Sequence, residues 1–323
     1  MESSLPAQRR RVLLAAPRGF CAGVVRAIDI VNLSLEKFGS PLYVRKEIVH
    51  NRLVVGELKE RGVVFVDELD EVPDGGLVIF SAHGVSPEVR RRAAGRDLRV
   101  IDATCPLVTK VHHEAVRYSR EGHTIVLIGH RNHDEVVGTL GEAPDSTVVV
   151  GTVREVDELD VPDPARISYI TQTTLSIDDA RHIVERLRQR FPLIKGPVSS
   201  DICYATQNRQ LAVQKLATVA PVILVVGSQN SSNSCRLVEV ARNAGAAAHL
   251  IDDIEDINPA WLCGLSDVGV TAGASAPENL VSRVVEYLRN LGYTLVETVG
   301  DVTEDVEFAL PADLVSISPS AHG

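Results

Sequence analysis

Apolar residues along this chain come in two rhythms that alternate. Short runs at Val12 to Ala16, Leu42 to Val44, Val63 to Val66 and Leu77 to Phe80 have the length of buried strands. Similar runs follow at Leu98 to Asp102, Ile125 to Ile128, Val148 to Val150, Ile167 to Ile170, Val222 to Val226, His249 to Ile251 and Val268 to Thr271. Between them lie stretches with helical spacing. Val24, Ile28, Val31, Leu35 and Phe38 fall at steps of four and three, and Gly39 supplies a stop. Pro106 suits the first turn of a second helix that stops at Gly122, and a third, from about Ala205 to Val219, is less cleanly periodic. This alternation predicts an α/β protein with small parallel sheets and functional loops at the strand carboxyl ends.

The order of events occurs three times. An apolar run, a cysteine and a helix appear as Val12 to Ala16 with Cys21, Leu98 to Asp102 with Cys105, and Pro197 to Asp201 with Cys203. The expected units are residues 1–97, 98–194 and 195–323, the last including a C-terminal segment. Each would hold four strands in a small, mostly parallel sheet. The last strand of each runs into a small polar loop: Ser81 to Gly84, Thr171 to Thr174, and Thr271 to Ser275. The predicted architecture is a trefoil of three pseudo-symmetric α/β units around a centre. A single large doubly wound sheet is the competing reading.

Composition narrows the partners. The 323 residues are 45% hydrophobic, 24% charged and only 4% aromatic, with a formal net charge of -10. An acidic chain with few aromatic rings is a poor match for nucleic acid or an anionic membrane, and no apolar run approaches the ~20 residues that cross a bilayer. A small-molecule partner is expected. The start, Met1 to Arg11, lacks the apolar core of a secretory signal, so the chain is expected to act in the cytoplasm, as a monomer. Five cysteines, an odd number in a chain of this size, do not read as a disulfide framework.

Cys21, Cys105 and Cys203 share one slot, the turn from a strand into a helix, where the helix dipole favours a thiolate. Cys235 lies in a helical stretch and Cys263 in a connecting segment, so both are expected to be structural. Three converging thiolates suit zinc, with a histidine as fourth ligand, or an iron-sulfur cluster with one iron left open. The polar loops add His50, His83, the run Gly129 to Glu135, the run Gly227 to Ser234, and Ser275. Imidazoles, hydroxyls, an amide and helix-start N–H groups suit a diphosphate. No Walker or dinucleotide glycine fingerprint is present.

These motifs resemble the 4-hydroxy-3-methylbut-2-enyl diphosphate reductase family, also called the IspH or LytB family. The resemblance runs through Ala16 to Val24, the His50 segment, Ser81 to Val85, Asp102 to Lys110, the His133 loop, Thr171 to Ser176, Asp201 to Thr206, the serine-rich loop and Ala272 to Pro277. It covers residues 12 to 310. It implies a [4Fe-4S] cluster on Cys21, Cys105 and Cys203. His50, His83, Ser231, Asn233 and Ser275, with Ser232 beside them, would hold a diphosphate. His133, Glu135 and Thr173 would face the substrate hydroxyl, Glu135 as proton donor. The implied reaction is the last step of the non-mevalonate isoprenoid pathway. It removes the hydroxyl with two electrons and protons, drawn from a carrier such as ferredoxin or flavodoxin, to give isopentenyl and dimethylallyl diphosphate.

Two positions depart from the family pattern. Asp134 adds a carboxylate that would raise the proton affinity of Glu135 if both were buried and do nothing if it pointed to solvent, and Cys235 adds a thiol near the serine loop. His112, His113, His123, His130, His182, His249 and His322 are read as ordinary loop or core residues. Two other functions compete: a non-redox iron-sulfur hydratase, and a zinc-stabilised protein that senses a diphosphate.

Overall fold

A computed structural model describes residues 9–315. Most of the start discussed above and His322 lie outside the described residues. The chain forms two compact units. One takes the residues up to Cys21, His50–Arg52 and Tyr204–Asp305; the other takes Ala22–Val49, Leu53–Cys203 and the segment from Val306.

The strands in chain order are β1 Arg11–Ala15, β2 Leu42–Arg45, β3 Val63–Val66, β4 Leu77–Phe80, β5 Arg99–Asp102, β6 Thr124–Ile128, β7 Thr147–Val150 and β8 Ile167–Thr171. They continue with β9 Val222–Val226, β10 Ala247–Ile251, β11 Asp267–Ala272 and β12 Leu295–Val299. They make three sheets, ordered β3-β2-β4-β5, β7-β6-β8 and β10-β9-β11-β1-β12, and every pairing is parallel. The α/β class with three small parallel sheets therefore stands. Helices cover the faces, and the strands are accordingly near-continuous apolar runs rather than alternating ones; all of β9 is buried.

The repeat is present, but its strands are shared differently from the expectation of four per segment. In the first two sheets the order is second, first, third, followed by the run that precedes the next cysteine. Thus β5 closes the sheet of β2, β3 and β4. Beyond β8 the equivalent position shrinks to one bridge, Ser168 to Lys195. The expected strand at Pro197 to Asp201 is absent, because a prolyl residue has no N–H for the ladder. In the third sheet the closing strand is β1, seated between β11 and β12.

The helix over Ala22–Phe38 buries Gly23, Val24, Ala27, Ile30, Val31 and Ser34, so its apolar stripe sits slightly off the expected Ile28, Leu35 and Phe38. The helix over Tyr204–Ala217 lacks a clean apolar period for a physical reason: its buried face carries Thr206, Arg209 and Gln210 among Ala205, Ala212, Val213 and Leu216. In the first unit Leu13, Leu216, Ile223, Val225, Leu237 and Ala241 form the core. In the second, Val126, Ile128, Ile167, Ile183 and Leu187 pack on one face of the β6–β8 sheet, and Val111, Ile125, Leu127 and Ile170 on the other. Among the described residues, no helix is long and apolar enough to cross a membrane.

Candidate active site

In the second unit the chemistry gathers where β6 and β8 end side by side. Their in-register pairing sets Ile128 opposite Thr171, so the loops that follow start level. Gln172 ties the loops together: its side-chain carbonyl accepts from His130 N–H at 3.1 Å, and its amide donates to Thr174 Oγ1 at 2.9 Å. His133 caps the helix Asp134–Glu142, its Nδ1 accepting from Glu135 N–H at 3.2 Å. That cap turns Glu135 inward, where its carboxylate accepts from Thr173 N–H at 2.6 Å and from Thr173 Oγ1 at 2.9 Å.

Glu135 is only 2% exposed. Burial pushes its carboxyl up to about 7; the two bonds from Thr173 oppose the rise and the charge of Asp201 adds to it. The carboxylate that reaches Glu135 electrostatically is thus Asp201, while Asp134 is not among the causes of the shift. His83 stands edge-on to His133, ring centroids 5.7 Å apart, with its Nδ1 3.3 Å from Ser81 Oγ. Gly84 beside it has φ +81° and no room for a side chain: a Cβ would lie 3.0 Å from His112 Cε1. His112 is held in place by Glu142, 3.0 Å from its Nδ1.

In the first unit a second polar group forms around the helix Ser232–Asn243. Ser231 caps this helix, its Oγ accepting from Ser234 N–H at 3.3 Å and lying 3.3 Å from Ser275 Oγ. Ser275 Oγ donates to the His50 carbonyl at 2.8 Å, and Asn230 Nδ2 lies 3.4 Å from His50 Nδ1. Asn233 Oδ1 accepts from Ala274 N–H at 2.8 Å, and its Nδ2 donates to Thr206 Oγ1 at 3.4 Å. His50, Ser231, Asn233 and Ser275 are therefore joined, directly or through one neighbour, with Ser232 in the first turn. Hydroxyls and an amide gathered at a helix start are the kind of groups that suit an anion.

The three cysteines have one backbone geometry. Cys105 N–H donates to Ala82 O at 3.0 Å, Cys203 N–H to Thr173 O at 3.1 Å, and Cys21 N–H to Ala274 O at 3.2 Å. In each case the acceptor lies two residues past the end of a strand, β4, β8 or β11, and a helix follows the cysteine. None of the three is in a disulfide, and all are half-buried. Three thiols in one repeated setting are the donor chemistry that iron-sulfur clusters take. Cys235, by contrast, donates its thiol to Gln229 O at 3.1 Å, and burial pushes its pKa up.

Sequence reasoning does not single out Asp201, Lys110 or Arg209, which adjoin these groups. Asp201, two residues before Cys203, accepts from Thr171 N–H at 2.9 Å and pairs with Lys110 at 3.0 Å. Both belong to motifs quoted above, which was the available signal. Arg209 is completely buried, on a helix whose apolar spacing is not cleanly periodic, so the sequence offers no cue to it. Two of the remaining histidines pack against aromatic rings: His123 stacks on Tyr118, and His249 lies 3.6 Å from Trp261, centroid to centroid.

The LytB protein family model matches residues 12–289. A 4-hydroxy-3-methylbut-2-enyl diphosphate reductase from Mycolicibacterium paratuberculosis is 57% identical over 309 residues, 95% of this chain and 93% of the relative. One of the same name from Acidothermus cellulolyticus is 54% identical, over 97% of this chain and 93% of its own length. The solved E-1-hydroxy-2-methyl-but-2-enyl-4-diphosphate reductase from Plasmodium falciparum superposes with a TM-score of 0.92 at 40% identity, covering 95% of this chain and 97% of that one. A match over most of the chain, with relatives this similar along nearly their full lengths, establishes that the chain belongs to the LytB family.

Proposed function

We propose that this chain reductively removes the hydroxyl of 4-hydroxy-3-methylbut-2-enyl diphosphate, giving isopentenyl and dimethylallyl diphosphate. The observation that carries this reading is the Glu135 carboxyl, buried, braced by Thr173 and shifted to about 7. Hydroxide is a poor leaving group, so the step needs a proton delivered at the departing oxygen. A carboxyl half-protonated near neutrality, with a hydroxyl on one side and a buried setting that excludes bulk water, suits that task. Because the acid form is the donor, turnover should fall as pH rises through about 7.

A [4Fe-4S] cluster, held by Cys21, Cys105 and Cys203 and charged by ferredoxin or flavodoxin, would supply the electrons and an open Lewis-acid iron. Thr173 Oγ1, already bonded to Glu135, relays a proton between the carboxyl and the substrate. His133 fixes the Glu135 backbone through its ring nitrogen and faces the same hydroxyl. His50, Ser231, Ser232, Asn233 and Ser275, with His83, bind the diphosphate through imidazole, hydroxyl, amide and helix-start donors. Anchoring that end fixes the allylic carbon and lowers the entropic cost of reaction.

Anaerobically prepared protein should be brown, and with a reduced carrier it should convert the allylic diphosphate into both products. Glu135→Gln should keep cluster and substrate binding while kcat falls roughly 10²- to 10⁴-fold, the range of general acid catalysis. Colourless, zinc-loaded, active protein would overturn the cluster; dehydration without electron consumption would favour a hydratase; near-normal turnover of Glu135→Gln would remove Glu135 from its role.

A further inference from the structure

Arg209 is completely buried, with its charge met by one carboxylate from outside its helix. Its Nε and Nη2 donate to Gly19 O at 3.0 and 2.7 Å, and Nη2 also to Phe20 O at 3.2 Å. Its Nη1 donates to Ala205 O at 2.9 Å and to both oxygens of Glu304, at 3.0 and 3.1 Å. Every N–H of the guanidinium thus has an acceptor. Glu304 belongs to the irregular segment after β12, and its side chain is 12% exposed. Asn208 Nδ2 donates to the same carboxylate at 3.0 Å.

Gly19 and Phe20 are the two residues before Cys21. From the opposite side, Gly19 N–H donates to Ala272 O and Cys21 N–H to Ala274 O, both at 3.2 Å. Gly19 sits at φ +69°, a turn that leaves little slack for a side chain: a Cβ would lie 3.2 Å from Ala276 O. The strand-to-helix turn that presents Cys21 is therefore gripped on one side by backbone and on the other by a single guanidinium. That guanidinium is oriented by a carboxylate from the C-terminal segment. A planar fork bound to two carbonyls and a carboxylate holds direction as well as distance, which a lysine cannot do.

The geometry points to an Arg209–Glu304 clamp that seats the Cys21 thiol, making the segment around Glu304 part of the metal site and Arg209 a positioning residue. The link to a cluster rests on the function proposed above; the seating of Cys21 does not. The test uses Glu304→Gln in the full chain, with two readouts. In the cluster-free protein, the alkylation rates of Cys21, Cys105 and Cys203 are measured by mass spectrometry against exposed Cys263. Cys21 should react roughly tenfold faster, the scale of one hydrogen bond to a charged group, while Cys105 and Cys203 stay unchanged. In the anaerobically reconstituted protein, iron release to a chelator should accelerate by a similar factor.

Equal acceleration of all three cysteines would mean general loosening, and rates within twofold of the parent would mean no clamp; either overturns the inference. If Glu304→Gln fails to fold, Asn208→Ala weakens the same carboxylate without touching Arg209 and should shift Cys21 alone, by a smaller factor; equal rates there overturn it as well. A parent chain that takes up no cluster would defeat the proposed function, and the alkylation comparison would still decide the clamp.

Discussion

Replacing Glu135 by glutamine should make the cluster-free protein more stable at high pH relative to its parent, and the size of the gain can be worked out. The carboxyl titrates near 4.5 when unperturbed and near 7 in the fold, where burial outweighs the two Thr173 bonds. At 1.36 kcal/mol per unit, that difference is roughly 3 kcal/mol. Below pH 4.5 both folded and unfolded chains hold the proton, and the site contributes its full share. Between pH 4.5 and 7 the unfolded chain releases the proton while the folded chain keeps it, so stability declines. Above 7 the folded carboxyl ionises too, and the full roughly 3 kcal/mol has been lost. Glutamine has the same shape and does not titrate. Urea unfolding of both proteins from pH 4 to 9, followed by circular dichroism, should therefore show a parent-minus-variant difference that drifts by about 3 kcal/mol against the parent and levels off above 7. Titrating groups that do not interact with Glu135 cancel in the difference. Parallel curves would refute the claim that burial governs this carboxyl, and a drift in the opposite direction would mean that the Thr173 bonds prevail.

Two further substitutions test the packing. Gly84→Ala forces a side chain at φ +81° against His112, which Glu142 holds in place, and should cost about 1 to 3 kcal/mol in a thermal melt; an unchanged midpoint would show that the His83 loop yields freely. Leu216→Ala removes a fully buried side chain from the core it shares with Leu13 and Ile223, and should cost about 2 to 5 kcal/mol by denaturant titration; a loss below 1 would mean that the core collapses around the gap.

The sequence was most legible where structure is local. Short apolar runs separated by helical spacing announced the parallel strands, and the shared slot of Cys21, Cys105 and Cys203 was visible because each cysteine follows a run and precedes a helix. Pairing across long separations was not legible. Nothing near Val12 says that its strand lies between β11 and β12, since both faces of a parallel strand read alike. Position in the repeat points to a strand ending at Asp201, and Pro197 outweighs it. Arg209 is not legible because arginine is rarely buried, and its acceptors, Gly19, Phe20 and Glu304, are distant in sequence. Asp134 drew attention as the neighbour of Glu135 in the chain, whereas Asp201 is the neighbour that acts on it in space.

The interior place of β1 in its sheet bears on the order of folding. Arg11 to Leu14 pair on one side with Asp267 to Val270, and Arg11 to Ala15 on the other with Leu295 to Val299, so the strand stays without these partners until the ribosome has released the chain through β11 and β12. Closing so long a loop is entropically costly and slow, whereas the sheets of β2 to β5 and β6 to β8 are drawn from contiguous stretches and can form as they emerge. The turn carrying Cys21 hangs from the end of β1. Contact order therefore predicts that it settles after the turn carrying Cys105, an order that pulsed hydrogen exchange during refolding would read.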